Sequence, residues 1–184
     1  VAFNEEEYNT TELKVVLVPQ TNQLDTEGST LDGRLNGLIS QILNNDLLFG
    51  AKFGETRLLS AADNEGLMNS VLLIGLGATE NLTDYQFEKL GGKAHNFASR
   101  QKFNSIGLKL SSAIGSIDAD RAAALFASGA LLCSYRFDKY QTKKTEKEKF
   151  ISQQLYLSTV NNDHAWSLFD EYRNVASGVF SARD

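Results

Sequence analysis

Proline is almost missing from this chain: Pro19 is the only one in 184 residues, and cysteine, methionine and tryptophan also occur once each. A single cysteine, Cys133, excludes an internal disulfide, and its place in an apolar, helix-like run reads it as a small buried hydrophobe rather than a nucleophile. Positive charge is also in deficit, with 18 Lys and Arg against 23 Asp and Glu and a net charge of −5. A chain so charged has no overall field to draw it to DNA, RNA or an anionic bilayer, so nucleic acid is an unlikely partner. Long apolar runs are absent too. The longest, 71–76 and 122–126, fall far short of the ~20 residues of a membrane helix. No basic-then-apolar signal segment opens the chain, so the expected compartment is the reducing cytoplasm. The chain starts at Val1 and stops at Asp184 without a helix stop signal, which reads as cut or processed ends.

What is present is ordinary globular material: 42% hydrophobic and 22% charged residues, too apolar for a disordered chain. Residues 13–18 form a leucine and β-branched run that stops at Pro19, which predicts a buried strand ending where the backbone N–H disappears. A polar, glycine-containing loop is expected over 20–33. An amphipathic helix should follow, because Leu35, Leu38, Ile39, Ile42 and Leu43 recur in steps of three and four. Short strands are expected at 57–61 and 70–76, the second nearly all apolar and therefore central and covered on both faces. Thr83 suits the N-cap of a helix carrying Leu90, Ala94 and Phe97, with Asp84 in its first turn.

Residues 105–110 read as another strand. Asp118 suits the cap of a long helix to Arg136, whose alanines and Gly129 permit close packing against a sheet. Residues 143–149 read as a charged, solvated connection, and 152–158 as a strand with Leu155 and Leu157 on one face. Trp166, Phe169, Arg173, Ala176 and Phe180 lie close to one face of a last helix, about 164–184, that runs to the chain end. Strands alternating with helices predict an α/β fold, a three-layer α/β/α arrangement around a mixed, largely parallel sheet, with 1–184 as a single domain.

The chemistry-bearing residues are sparse. His95 and His164 are separated by two expected strands and a long helix, with no His-Glu-x-x-His spacing and no paired cysteines, so they read as surface or partly buried histidines. Glu5, Glu6 and Glu7 form an acidic run, and Asp118 and Asp120 stand at a helix start where capping explains them. No Gly-x-Ser-x-Gly nucleophile elbow occurs. Gly75-Leu76-Gly77 follows a strand, as phosphate-binding loops do, but neither a third glycine nor a Walker lysine follows, which favours a tight turn. Ser134-Tyr135-Arg136-Phe137-Asp138-Lys139-Tyr140 interleaves aromatics and cations. It suits a stacking surface for bases or ADP-ribose about as well as it suits aromatics closing a buried helix.

Three stretches, in this order and spacing, carry a family resemblance: Val71-Leu72-Leu73-Ile74-Gly75-Leu76-Gly77, then Lys89-Leu90-Gly91-Gly92, then Gly129 to Tyr140. With the ending Val175-Ala176-Ser177-Gly178-Val179-Phe180-Ser181-Ala182-Arg183-Asp184, they resemble the N-terminal domain of the leucyl (cytosol) aminopeptidase family over essentially the whole chain. The resemblance implies a macro-domain-like fold and a terminal linker helix towards a C-terminal catalytic domain that is not in this chain. It implies a cytoplasmic, hexameric parent enzyme that releases N-terminal amino acids from peptides with two divalent metals, manganese or zinc. The family's metal ligands and catalytic residues belong to the catalytic domain, so no catalytic, cofactor-binding or metal-binding residue is expected here. The expected role is a scaffold for assembly and access, inactive alone. Two further readings stay open: a stand-alone module binding ADP-ribose or another phosphorylated nucleotide, and DNA binding through the lysines between 139 and 149.

Overall fold

The computed structural model describes residues 1–45, 47–134 and 153–183, with the side chains of 179–183 excepted. The chain order is β1 (Ala2–Phe3), α1 (Glu5–Asn9), β2 (Leu13–Pro19), α2 (Thr26–Arg34), α3 (Leu38–Leu43), β3 (Thr56–Ala62), β4 (Met68–Gly77), α4 (Asp84–Gln101), β5 (Ser105–Lys109), α5 (Ala119–Ser134), β6 (Gln154–Ser158) and α6 (Asn162–Arg183). Among the described residues the strands form one six-stranded sheet in the order β1-β6-β5-β2-β4-β3. Every pairing is parallel except β3 with β4, a hairpin at one edge. The expected mixed, mostly parallel α/β architecture is therefore present.

Alternation along the strands divides the core in two. Leu13, Val15 and Leu17 of β2 and Leu72, Ile74 and Leu76 of β4 face α4, α5 and Phe169 of α6. Val16, Val18, Val71 and Leu73 face the other way, against Leu31, Leu35, Ile39, Ile42 and Phe49. Successive side chains of a strand point to opposite faces, so an unbroken apolar run such as 71–76 is what a strand covered on both sides requires. Each fully buried Leu, Ile or Phe contributes about 1.5–3 kcal/mol relative to exposure.

The sequence expectations fail in two places. The loop foreseen over 20–33 contains α2, started by Asp25, whose carboxylate accepts from the Gly28 N–H at 2.7 Å. The single helix foreseen from Leu35 to Leu43 is interrupted: Leu35 ends α2, and Asn36 and Gly37 take positive φ of 57° and 76°. Gly37 cannot cap α3 with a side chain, and buried Asp32 does so from a turn away, accepting from Ile39 N–H at 2.7 Å and Ser40 N–H at 3.1 Å. The acidic run 5–7 is helical, with Asn4 accepting from Glu6 N–H at 2.9 Å and buried Tyr8 under the sheet. Pro19 is the last residue of β2, with a register shift at Val18/Pro19.

The other helix starts agree with the sequence. Thr83 closes a reciprocal capping box with Gln86, and the Asp118 carboxylate accepts from Arg121 N–H at 2.9 Å. Between α4 and α5 the helices approach closely, because Gly91 faces the carbonyl of Phe126 and Gly129 faces that of Glu88, with no room for a Cβ at either position.

Candidate functional site

The helices after β2 lie on one face of the sheet and the helix after β4 lies on the other, so the carboxyl ends of these strands flank a topological switch point, where α/β folds ordinarily bind ligands. The crevice there is lined by Pro19, Gln20, Thr21 and the turn Gly77 to Glu80, and measures about 210 Å³. That is below the ~300 Å³ at which small-molecule pockets begin. Its glycine amides are already engaged. Gly75 N–H donates to Glu55 C=O at 2.8 Å, and Gly77 N–H to Ala51 C=O at 3.0 Å. A Cβ on Gly75 would stand 2.2 Å from the Lys52 carbonyl oxygen, so glycine is required by the close passage of the 51–54 backbone. Gly75-Leu76-Gly77 is thus the end of β4 rather than the tight turn expected, its glycines fixed by the close passage of the 51–54 backbone, and neither amide is open to a phosphate.

The two histidines lie apart. His95 is half-buried on α4, and exposed His164 sits at the start of α6, with Nδ1 3.0 Å from the Asp120 carboxylate. Burial would raise the Asp120 pKa. The hydrogen bond with His164 and the Asn161 N–H outweigh it and hold the carboxyl below its usual value. Capping alone therefore does not account for Asp120, which ties the first turn of α5 to the β6–α6 turn. Among the described residues no three His, Cys, Asp or Glu side chains converge to hold a metal ion, so the donor set of the described residues does not fit a metal centre.

Cys133 corrects the sequence reading, because it is exposed. The buried stretch of α5 ends at Ala130, and Cys133, in the next turn, lies beside Gly92 of α4. From Tyr135 onward the aromatic and basic stretch, and the lysines from 139 to 149, lie outside the described residues.

A charged cluster under the sheet was not singled out in the sequence, although Lys14 stands conspicuously inside the apolar run 13–18. It is buried on β2, 5.9 Å from the Tyr8 ring centroid, and burial, then the nearby Arg34, lowers its pKa. Burial likewise raises the Tyr8 pKa. Lys109 joins Glu5 at 2.7 Å and Glu27 at 3.2 Å, which raises the lysine pKa and fastens α1 and α2 to β5. The cluster fastens elements together.

The last helix is anchored from its first turn to Ala176. Phe3 of β1, Trp166 and Phe169 pack with ring centroids 5.7–6.0 Å apart, Arg173 lies over Trp166, and Ala176 is buried. A larger open groove, about 870 Å³, runs along the outer side of α4.

Comparison with known proteins places these features. The family model described as cytosol aminopeptidase family, N-terminal domain, matches residues 15–144. A probable cytosol aminopeptidase of Rickettsia bellii is 39% identical over all 184 residues, and that of Rickettsia canadensis 37%. The chain spans 37% of the length of each of these relatives. Among solved structures, a mutant of tomato leucine aminopeptidase superposes over 97% of this chain and 35% of its own with a TM-score of 0.70 at 18% identity. The bottromycin maturation enzyme BotP does so over 91% of this chain and 31% of its own, with a TM-score of 0.60 at 15% identity. At such identities the superpositions establish the shared fold.

Proposed function

Because this chain belongs to the cytosol aminopeptidase family as its N-terminal domain, we propose that it is the non-catalytic frame of a dinuclear metallo-aminopeptidase that removes N-terminal amino acids from peptides in the cytoplasm. The observation that carries this reading is the match of the whole chain to only 37% of relatives named as aminopeptidases. In this reading the two metals, manganese or zinc, would polarise the scissile carbonyl and activate water in the catalytic portion. No residue of this chain is assigned to them. The chain's own contribution is geometric. α6, 22 residues and about 33 Å long at the α-helical rise, is held by the Phe3–Trp166–Phe169 packing and the Asp120–His164 pair. A helix anchored in this way suits a stiff connection to the catalytic domain, and the surrounding α/β layers, macro-like in plan, suit packing into a hexamer that limits access to its active sites.

The test compares the 184-residue chain with the protein extended by the catalytic portion, using leucine p-nitroanilide with manganese or zinc. The expected outcome is turnover by the extended protein and none by the chain. Metal-dependent turnover by the chain at a rate comparable to the extended protein would overturn the proposal.

A further inference from the structure

The groove along α4 joins cationic side chains to apolar ones. Lys89, Lys93 and Arg100 project into it at helical spacing, all exposed, and span about 16 Å of helix. Among the described residues no carboxylate lies within ion-pair distance of any of the three. The neighbouring acids are engaged elsewhere. Glu88, the one carboxylate among the described lining residues, accepts from Ser128 Oγ at 3.1 Å. Glu55 accepts from Gly50 and Lys52 N–H groups at 3.1–3.2 Å, and Asp84 pairs with Arg121. Lys93 donates to Gly54 C=O, which holds its charge at the groove wall, and Lys89 lies 4.4 Å from the Tyr85 ring centroid.

The same groove is floored by Phe97 and Leu132. In a chain of net charge −5, three cations without a carboxylate partner among the described residues, set along an apolar trough, form a local inversion of sign. Such a surface is complementary to a partner carrying both negative charge and an apolar anchor. We propose that the α4 groove docks an extended acidic peptide segment of a partner protein, its carboxylates on Lys89, Lys93 and Arg100 and one aliphatic side chain between Phe97 and Leu132. About five extended residues cover the cationic span. The apolar floor favours a peptide over a polyphosphate backbone, which has no aliphatic side chain to place there. This inference goes beyond the aminopeptidase reading and is tested without any assay of activity.

The probe is a fluorescein-labelled Glu-Asp-Leu-Glu-Asp peptide, titrated with the full 184-residue chain and followed by anisotropy at low and moderate salt. Binding that weakens with salt and with Ser in place of the central Leu is expected. The K89E/R100E double variant should weaken it by about tenfold or more. Both side chains are exposed, so circular dichroism should show an unchanged fold, and R100Q, a milder change, should fall between the variant and the parent. Arg57→Glu, on the opposite face of β3, should bind as the parent does. Four results would overturn the proposal: no binding at millimolar protein, equal affinity in K89E/R100E, equal loss in Arg57→Glu, or tighter binding of a thymidine oligonucleotide than of the peptide.

Discussion

Replacing Gly129 with alanine sets two known effects of opposite sign against each other. In a helix interior glycine is about 0.5–1 kcal/mol worse than alanine, so propensity alone favours the substitution. The structure opposes it, because a Cβ at Gly129 would lie 1.8 Å from the Glu88 carbonyl oxygen, and the obstacle is α4 backbone that cannot rotate away. Relief requires α4 and α5 to separate over the contact that also holds Gly91 against Phe126. Inserting volume into a packed core costs about 1–3 kcal/mol, and a backbone-limited contact belongs at the upper end. After the propensity gain, a net loss of about 2 kcal/mol remains. In urea, with a slope of about 2 kcal/mol/M, the midpoint should fall by about 1 M. The melting temperature should fall by about 4–8 °C. Trp166, the only tryptophan, reports unfolding by fluorescence alongside circular dichroism. The control is Gly178→Ala in α6, where nothing lies within 4 Å of the added Cβ, and which should raise the midpoint slightly. A Gly129→Ala protein as stable as the parent, or shifted in the same direction as Gly178→Ala, would refute the steric argument.

Two further outcomes follow from the polar contacts. Thr83→Ala removes the side chain that accepts from Gln86 N–H in the capping box. It should cost about 1 kcal/mol, read as a urea midpoint shift. The Asp63 carboxyl is held below its usual pKa, chiefly by the Leu67 N–H, against burial and with help from Asn69, Glu65 N–H and Arg34. A depressed folded-state pKa gives stability that is complete above the unfolded value and is lost as pH falls through the folded one. Asp63→Asn should therefore show less loss of stability below about pH 4 than the parent. Equal acid sensitivity in the two proteins would remove Asp63 from the account.

Where one local signal decides an element, that element was legible in the sequence. The apolar run 71–76 demanded a strand covered on both faces, and Thr83 and Asp118 marked helix starts that the capping bonds now show. α2 was not legible, because Thr26–Arg34 carries two glycines and few apolar residues. Its stability comes from Asp25 at its start and from Leu31 reaching the core. The break at Asn36 and Gly37 was hidden because the apolar spacing carries on across it, while the cap for α3 comes from Asp32, seven residues before Ile39. The exposure of Cys133 was hidden because the apolar run continues through residues 130–133, past Ala130 where the buried stretch of α5 ends.

The sequence by itself determined the α/β class, the order of most elements and the family resemblance, because these follow from period, capping and motif order along the chain. Only the tertiary structure decided what the glycines and charges are for. Gly75, Gly91 and Gly129 are required by backbones that pass within a Cβ radius of them, and those backbones lie about 20 to 40 residues away in sequence. Lys109 meets Glu5 across the whole first half of the fold. Lys89, Lys93 and Arg100 stand without carboxylate partners among the described residues because packing has placed the nearby acids against other donors. Period and composition describe a residue's neighbours along the chain, whereas close approach and charge pairing depend on neighbours that only folding brings together.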